Sequence, residues 1–208
     1  MKIYERFWDR IAGRYSRAPV ADEEAYQKKL QKTREYLTPD MDVFEFGCGT
    51  GSTAIYHAPY VKRILALDVS SKMIEIARAK AESKSIDNVT FEVGSIEDFA
   101  VAEESYDVVM AHSILHLLKD RAQALAKVHA MLKPGGIFVS STVCMENSFL
   151  RKTMALVFSF VSLTGFLPFV SISSAEQLAE SIEEAGFHIE HRWRPNRNAA
   201  LFLIAKKI

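Results

Sequence analysis

The sequence predicts an α/β fold, a doubly wound and mostly parallel sheet with helices on both faces. Three observations predict it. Between residues 42 and 142 short apolar runs alternate with helical patterns, the order from which strand–helix–strand units build a parallel sheet. The first run, Val43-Phe44-Glu45-Phe46, opens into Gly47-Cys48-Gly49-Thr50-Gly51. Glycines crowd like this where backbone turns tightly and lies against a ligand. Near the C-terminus, the runs from Phe187 to Trp193 and from Ala199 to Ala205 are joined by Pro195-Asn196-Arg197-Asn198, which reads as an antiparallel hairpin.

Taken in order, Lys2 to Arg14 and Asp22 to Leu37 read as two helices forming a cap ahead of the first strand. In the second, Tyr26, Leu30 and Leu37 share one helical face, and Pro39 stops it. A strand at Asp42 to Phe46 leads to a helix at Gly51 to His57, and a strand at Val61 to Asp68 to a helix at Ser71 to Ala81. Ser70 or Ser71 caps that helix, whose apolar face carries Met73, Ile76 and Ala77. Strands follow at Val89 to Val93 and Tyr106 to Ala111. The stretch Arg121 to Leu132 is helical through Ala122, Leu125, Val128 and Leu132, and Pro134 and Gly135 stop it before the strand Ile137-Phe138-Val139. Ser174-Ala175-Glu176-Gln177 has the form of a capping box, and Gly186 ends its helix. The reading is one domain of 208 residues: a helical cap (1–40), a core (41–142), an apolar insertion (143–175), and a last helix with the hairpin (176–208).

Lysine plus arginine and aspartate plus glutamate number 26 each, so no net charge draws the chain to nucleic acid. The two cysteines, Cys48 and Cys144, lack metal or redox spacing, and no apolar signal region opens the chain. A reducing cytoplasm is the expected compartment. From Thr153 to Ala175 no residue is charged. As one helix these residues would reach about 34 Å, enough for a bilayer. A crossing would strand the last two runs on the far side of their own sheet, and Gly165 and Pro168 break the helix. Three readings stay open: an apolar lid over a pocket, a homodimer interface in place of a monomer, or a patch resting on a membrane with Arg151 and Lys152 at its edge.

The glycine spacing is not the G-x-G-x-x-G of nicotinamide enzymes, because the third position falls on Ser52. What stands there is E-x-G-x-G-x-G. Asp68 closes the second strand seventeen residues beyond Gly51, Val89 to Asp98 forms a third alternating run, and Tyr106 to Ala111 leads into His112-Ser113-Ile114-Leu115-His116. Leu132-Lys133-Pro134-Gly135-Gly136 precedes the fifth strand. In this order and spacing the set resembles the successive motifs of Rossmann-like, class I S-adenosylmethionine-dependent methyltransferases. The resemblance implies seven strands in the order 3-2-1-4-5-7-6, S-adenosylmethionine as donor and S-adenosylhomocysteine as product. It places the Gly47-Cys48-Gly49 backbone on the methionine moiety, with Glu45 holding the ammonium directly or through water. Asp68 binds the ribose, Val69 and Met73 cover the adenine face, and Ser95 and Ile96 reach its edge. An acid is common where Ser95 stands, and Glu97 is the alternative acid. Phe7 to Tyr15 resembles the cap of the ubiquinone and menaquinone biosynthesis type, which implies that Tyr15 reaches over the donor; Trp8 and Tyr15 otherwise pack the cap on the core.

Methyl transfer from a sulfonium is a direct in-line displacement that needs alignment more than catalytic side chains. His112, directly after the fourth strand, is the candidate catalytic residue and also sits beside the donor. On a short helix it would share a face with His116, and either could take a proton from a phenol or enol. His116 otherwise packs among Leu115, Leu117 and Leu118. No third ligand accompanies the pair, so no metal is expected. Four phenylalanines lie between residues 158 and 169. His116, Phe158, Phe166 and Phe169 are therefore candidates for the pocket of a small, lipophilic or aromatic acceptor. Two other functions remain open, a donor-binding protein without turnover and a nicotinamide oxidoreductase.

Overall fold

A computed structural model describes residues 2–100, 102–146, 170–171, 173–197 and 199–208. Two helices, α1 (Lys2–Tyr15) and α2 (Glu23–Arg34), precede β1 (Asp42–Phe46). Then come α3 (Ser52–His57), β2 (Arg63–Asp68), α4 (Ser71–Ser83), β3 (Val89–Val93), β4 (Tyr106–His112), α5 (Arg121–Met131) and β5 (Leu132–Thr142). The chain closes with α6 (Ala175–Glu184), β6 (Phe187–Trp193) and β7 (Leu201–Lys207).

Side-chain caps fix where the helices start. Asp22 accepts from Ala25 N at 2.9 Å, Ser70 from Met73 N at 3.1 Å, and Asp120 from Gln123 N at 2.9 Å. Each satisfies an amide that the helix itself leaves unpaired. Ser174 and Gln177 form the full capping box at α6.

The sheet has seven strands in the order β3-β2-β1-β4-β5-β7-β6. The first five are parallel, and β7 runs antiparallel to both β5 and β6. This is the expected order. The inner strands β1, β4 and β7 are covered on both faces and mostly apolar, whereas the edge strands β3 and β6 keep exposed polar residues. One cluster joins Phe44, Phe46, Val109, Phe138 and Leu203, and another joins Val43, Ala66, Met110, Val139 and Ile204.

Two local expectations change. Leu132 does not end the helix; it already pairs with Tyr106, while Val108 pairs with Ile137. Lys133 to Gly136 therefore bulge out of the ladder, with Gly135 at φ +71° and the Lys133 ammonium on both Asp107 oxygens at 2.7 and 2.8 Å. His112 and His116 also do not share a helix. His112 is the last residue of β4, Ser113 turns the chain at φ +55°, and His116 sits in a single 3-10 turn, Leu115–Leu117. A strand residue followed by a left-handed turn cannot keep the four-residue helical spacing.

The cap docks on the core through polar contacts. In α1, the Asp9 carboxylate accepts from Ser70 Oγ at 2.6 Å and from Lys72 N at 3.1 Å, at the start of α4. In α2, the Lys29 ammonium donates to Ser141 Oγ at 2.9 Å. Among the described residues no helix is long and apolar enough to cross a membrane.

Candidate functional site

A cleft of about 280 Å³ opens at the C-terminal ends of β1, β2 and β4. There the strand order reverses direction, and open α/β sheets place their ligands at such switch points. The turn after β1 forms its floor. Gly47, Gly49 and Gly51 all have left-handed backbones, at φ +67°, +54° and +73°, but their surroundings differ. A Cβ on Gly47 would meet the Ile114 side chain at 2.6 Å, and one on Gly51 would meet Phe91 at 2.7 Å. A Cβ on Gly49 would meet only the Tyr15 ring, at 3.9 Å. Gly47 and Gly51 are glycines because protein fills the space. Gly49 leaves its space to the cleft.

Asp68 stands beside this turn and lines the cleft. Its Oδ2 accepts from Gly49 N and its Oδ1 from Ser70 N, both at 2.9 Å. Each oxygen keeps a further lone pair, so the group can accept from two hydroxyls at once. Burial pushes its pKa up, against the pull of the two amides.

Glu45 and Cys48 do not line the cleft. Glu45 is 1% exposed, and its Oε2 has no partner among the described residues. Burial first, then the Asp68 charge, pushes its pKa up to about 8, against the Ala54 amide. Cys48 packs with Ala54, Ile55 and Phe91 in the core; burial and the Glu45 and Asp68 carboxylates push its thiol well up.

Directly beside Asp68 stands the turn after β3, where Gly94 N donates to Asp68 O at 2.9 Å. Gly94, Ser95, Ile96, Glu97 and Asp98 all line the cleft. Ser95 Oγ donates to Asp98 Oδ2 at 2.8 Å and accepts from Asp98 N at 3.2 Å. The acid absent at position 95 thus stands at 98, oriented by the Ser95 hydroxyl. Sequence reasoning named Glu97 and passed over Asp98. The signal was present as a serine three residues ahead of an aspartate, the pattern of a hydroxyl-closed turn.

Val69 and Met73 line one side of the cleft, and His112, Ser113, Ile114, Leu117, Leu118 and Lys119 another. Nε2 of His112 is enclosed without a partner among the described residues. Burial, then the neighbouring His57 and Lys29, pushes its pKa down to about 3. The imidazole is therefore neutral at any working pH. His116 does not line the cleft. Its Nδ1 is enclosed and its carbonyl accepts from Ser171 N at 2.7 Å. From the cap, Tyr4, Trp8 and Tyr15 reach the cleft, Trp8 and Tyr15 packing edge to face at 6.4 Å. Tyr4, Leu117, Leu118 and Lys119 were not expected; nothing in local spacing marks residues that meet a cleft only through tertiary docking.

Phe158, Phe166 and Phe169 lie outside the described residues. The chain on either side of them is described. Met145 N donates to Ser173 O at 3.0 Å, and Arg121 Nη1 to Ser173 Oγ at 2.8 Å. Through Ser171 on His116 and Ser173 on Met145, the C-terminal part of the uncharged segment rests beside the 3-10 turn whose Leu117 lines the cleft. Among the described residues no group of three or more histidine, cysteine or acidic side chains could hold a metal ion.

Comparison with known proteins agrees with this geometry. A family model described as a methyltransferase domain matches residues 37–188. YcgJ of Bacillus subtilis, an uncharacterized methyltransferase, is 31% identical over 97 residues, covering 47% of this chain. The chain spans only 38% of that relative's length. The ubiquinone biosynthesis O-methyltransferase of a Methylobacterium species is 25% identical over 188 residues, which cover 81% of this chain and 74% of the relative. An S-adenosylmethionine dependent methyltransferase from Mesorhizobium loti superposes with a TM-score of 0.70 at 22% identity, covering 88% of this chain and 98% of that one. With the model spanning cap boundary to hairpin and the strand order in agreement, the chain belongs to the methyltransferase-domain family and carries the class I, Rossmann-like methyltransferase fold.

Proposed function

We propose that the protein transfers a methyl group from S-adenosylmethionine to a small, lipophilic or aromatic acceptor by direct in-line displacement. The observation that carries this reading is the pairing of Asp68 with Gly49. The carboxylate is oriented by two amides and keeps lone pairs for a diol, beside a glycine whose missing side chain leaves room under Tyr15. Family membership supports the donor. The ubiquinone relative's name and the apolar wall of Trp8, Ile114, Leu117 and Leu118 support the acceptor class.

The chain's own residues fit that donor. Asp68 holds the ribose, Val69 and Met73 cover one purine face, and Ile114 faces the slot from the β4 side. Ser95, Ile96 and Asp98 meet the purine edge. Glu45, outside the lining of the cleft, holds the ammonium through a water, for which its unpartnered oxygen is available. When bound, the donor supplies a methyl already activated by its sulfonium. The protein's work is then to align the acceptor and exclude water. The Tyr15 ring, above Gly49, presents a π face to positive charge. His112 is too weak a base to hold a proton and serves as a neutral hydrogen-bond partner for an acceptor hydroxyl. The uncharged segment, whose Ser171 rests on His116 next to Leu117, is the lid. The chain acts as a monomer or homodimer in the cytoplasm, without metal.

Asp68→Ala is expected to weaken S-adenosylhomocysteine binding by about 1–3 kcal/mol through the lost diol bonds, measured by titration calorimetry. Unchanged affinity in a folded variant would remove Asp68 from the site. Turnover is tested with labelled donor in a dialysed cell extract, partitioned into organic, aqueous, protein and RNA fractions. Label in the organic fraction that Asp68→Ala abolishes supports the acceptor class. Donor affinity with no label anywhere favours a donor-binding protein without turnover.

A further inference from the structure

Lys127 projects from α5 onto the turn that follows β3. Its ammonium donates to three main-chain carbonyls of that turn: Ile96 at 3.0 Å, Glu97 at 2.5 Å and Phe99 at 3.2 Å. Among the described residues it forms no ion pair with any carboxylate. A lysine that gathers three carbonyls and no acid is shaping backbone, because each charge-assisted bond fixes the direction of one peptide unit. The turn is also closed from within, by Phe99 N on Ser95 O at 3.0 Å and by the mutual bonds of Ser95 and Asp98. Residues 95 to 98 line the cleft, and Lys127 does not. In a helical turn carbonyls and N–H groups leave on opposite sides. Tethering the carbonyls to α5 therefore turns the Ile96 and Glu97 amides and the Asp98 carboxylate toward the cleft.

We propose that Lys127 is a positioning residue that sets the base specificity of the donor site, by holding the Ser95–Phe99 turn against the purine edge without touching the ligand. This rests on the donor reading given above. A site of this kind distinguishes an exocyclic amino group from a carbonyl only while its polar groups stay where the base needs them. A turn freed from α5 loses that registration. The diol contact uses the Asp68 carboxylate, which is held by Gly49 N and Ser70 N and not by the tethered turn.

The test is titration of the full chain with S-adenosylhomocysteine and with its deaminated analogue S-inosylhomocysteine. Wild type, Lys127→Met, Lys127→Gln and Lys127→Arg are compared, with Asp68→Ala as control. Wild type is expected to prefer the adenine ligand at least tenfold. Lys127→Met and Lys127→Gln should bind the adenine ligand at least tenfold more weakly and the analogue nearly as before, so that the preference collapses toward one. Lys127→Arg, which keeps the charge, should restore most of the preference. Asp68→Ala should weaken both ligands and keep the ratio. If the neutral variants weaken both ligands equally or not at all, Lys127 has no part in base specificity. Wild type that binds neither ligand would instead overturn the donor reading.

Discussion

The unliganded protein is expected to be most stable near pH 6.5 and to lose stability as pH rises from there to about 8, with Glu45→Gln removing most of that alkaline loss. The Glu45 carboxyl is buried, and its pKa rises from 4.5 to about 8 on folding. The folded state therefore holds a proton that the unfolded chain releases. The contribution is complete below pH 4.5 and declines as pH climbs to about 8. At 1.36 kcal/mol per unit the whole contribution amounts to about 5 kcal/mol, of which about 2 kcal/mol is lost above pH 6.5. For a chain of this size that last part is a fall in Tm of roughly 4–8 °C. Asp68, also raised on folding, adds to the same limb.

The acid limb has the opposite origin. His57 and His112 are held neutral by burial, with pKa values lowered to about 4 and about 3. The unfolded chain takes up protons below pH 6.5 that the folded one refuses, so stability falls as pH drops through that range. Melting curves from pH 4 to 9 check both limbs. An alkaline slope as steep in Glu45→Gln as in wild type would show that Glu45 titrates normally. The same carboxyl predicts that S-adenosylhomocysteine, whose ammonium favours the ionised form, releases close to one proton on binding near pH 7. Calorimetry in buffers of different ionisation enthalpy reads this, and Glu45→Gln should abolish it.

The three glycines of the β1 turn are expected to fail in different ways when changed to alanine. Gly47→Ala should destabilise the fold by about 2–4 kcal/mol, combining left-handed strain with overpacking. The new methyl would lie 2.6–2.9 Å from three Ile114 carbons, in a loop that has no slack toward the cleft. Gly51→Ala meets Phe91 and Ala77 at 2.7–2.9 Å and should cost a similar amount. Gly49→Ala has room and should cost only about 1 kcal/mol of stability. Its methyl would point into the space below Tyr15, so ligand affinity should drop at least tenfold. Denaturant unfolding and S-adenosylhomocysteine titration separate the two effects. Equal stability losses at all three positions, with affinity intact at Gly49, would show that the turn is purely a folding device.

Much of this was legible along the chain. Alternating apolar runs specified the strands, because a strand buried on both faces leaves a continuous hydrophobic signature. The glycine string and Asp68 were legible because a turn that lies against a ligand restricts residue type at each step. The cap of α1 was legible as a helix, yet not that Asp9 would fasten it to Ser70. The place of His112 at the cleft was legible because it ends a parallel strand; its pairing with His116 on one helix was misread, since one left-handed residue, Ser113, is enough to break helical spacing.

What the sequence by itself determined was the order of elements, the family and the glycine–aspartate heart of the cleft. All are written in local spacing, which short-range sterics and hydrogen bonding read directly. Only the tertiary structure decided that Glu45 is enclosed and does not line the cleft, and that Lys127 grips the turn after β3 from α5. Those facts depend on which surfaces meet in the folded chain. Burial and carbonyl convergence exist only once they have met.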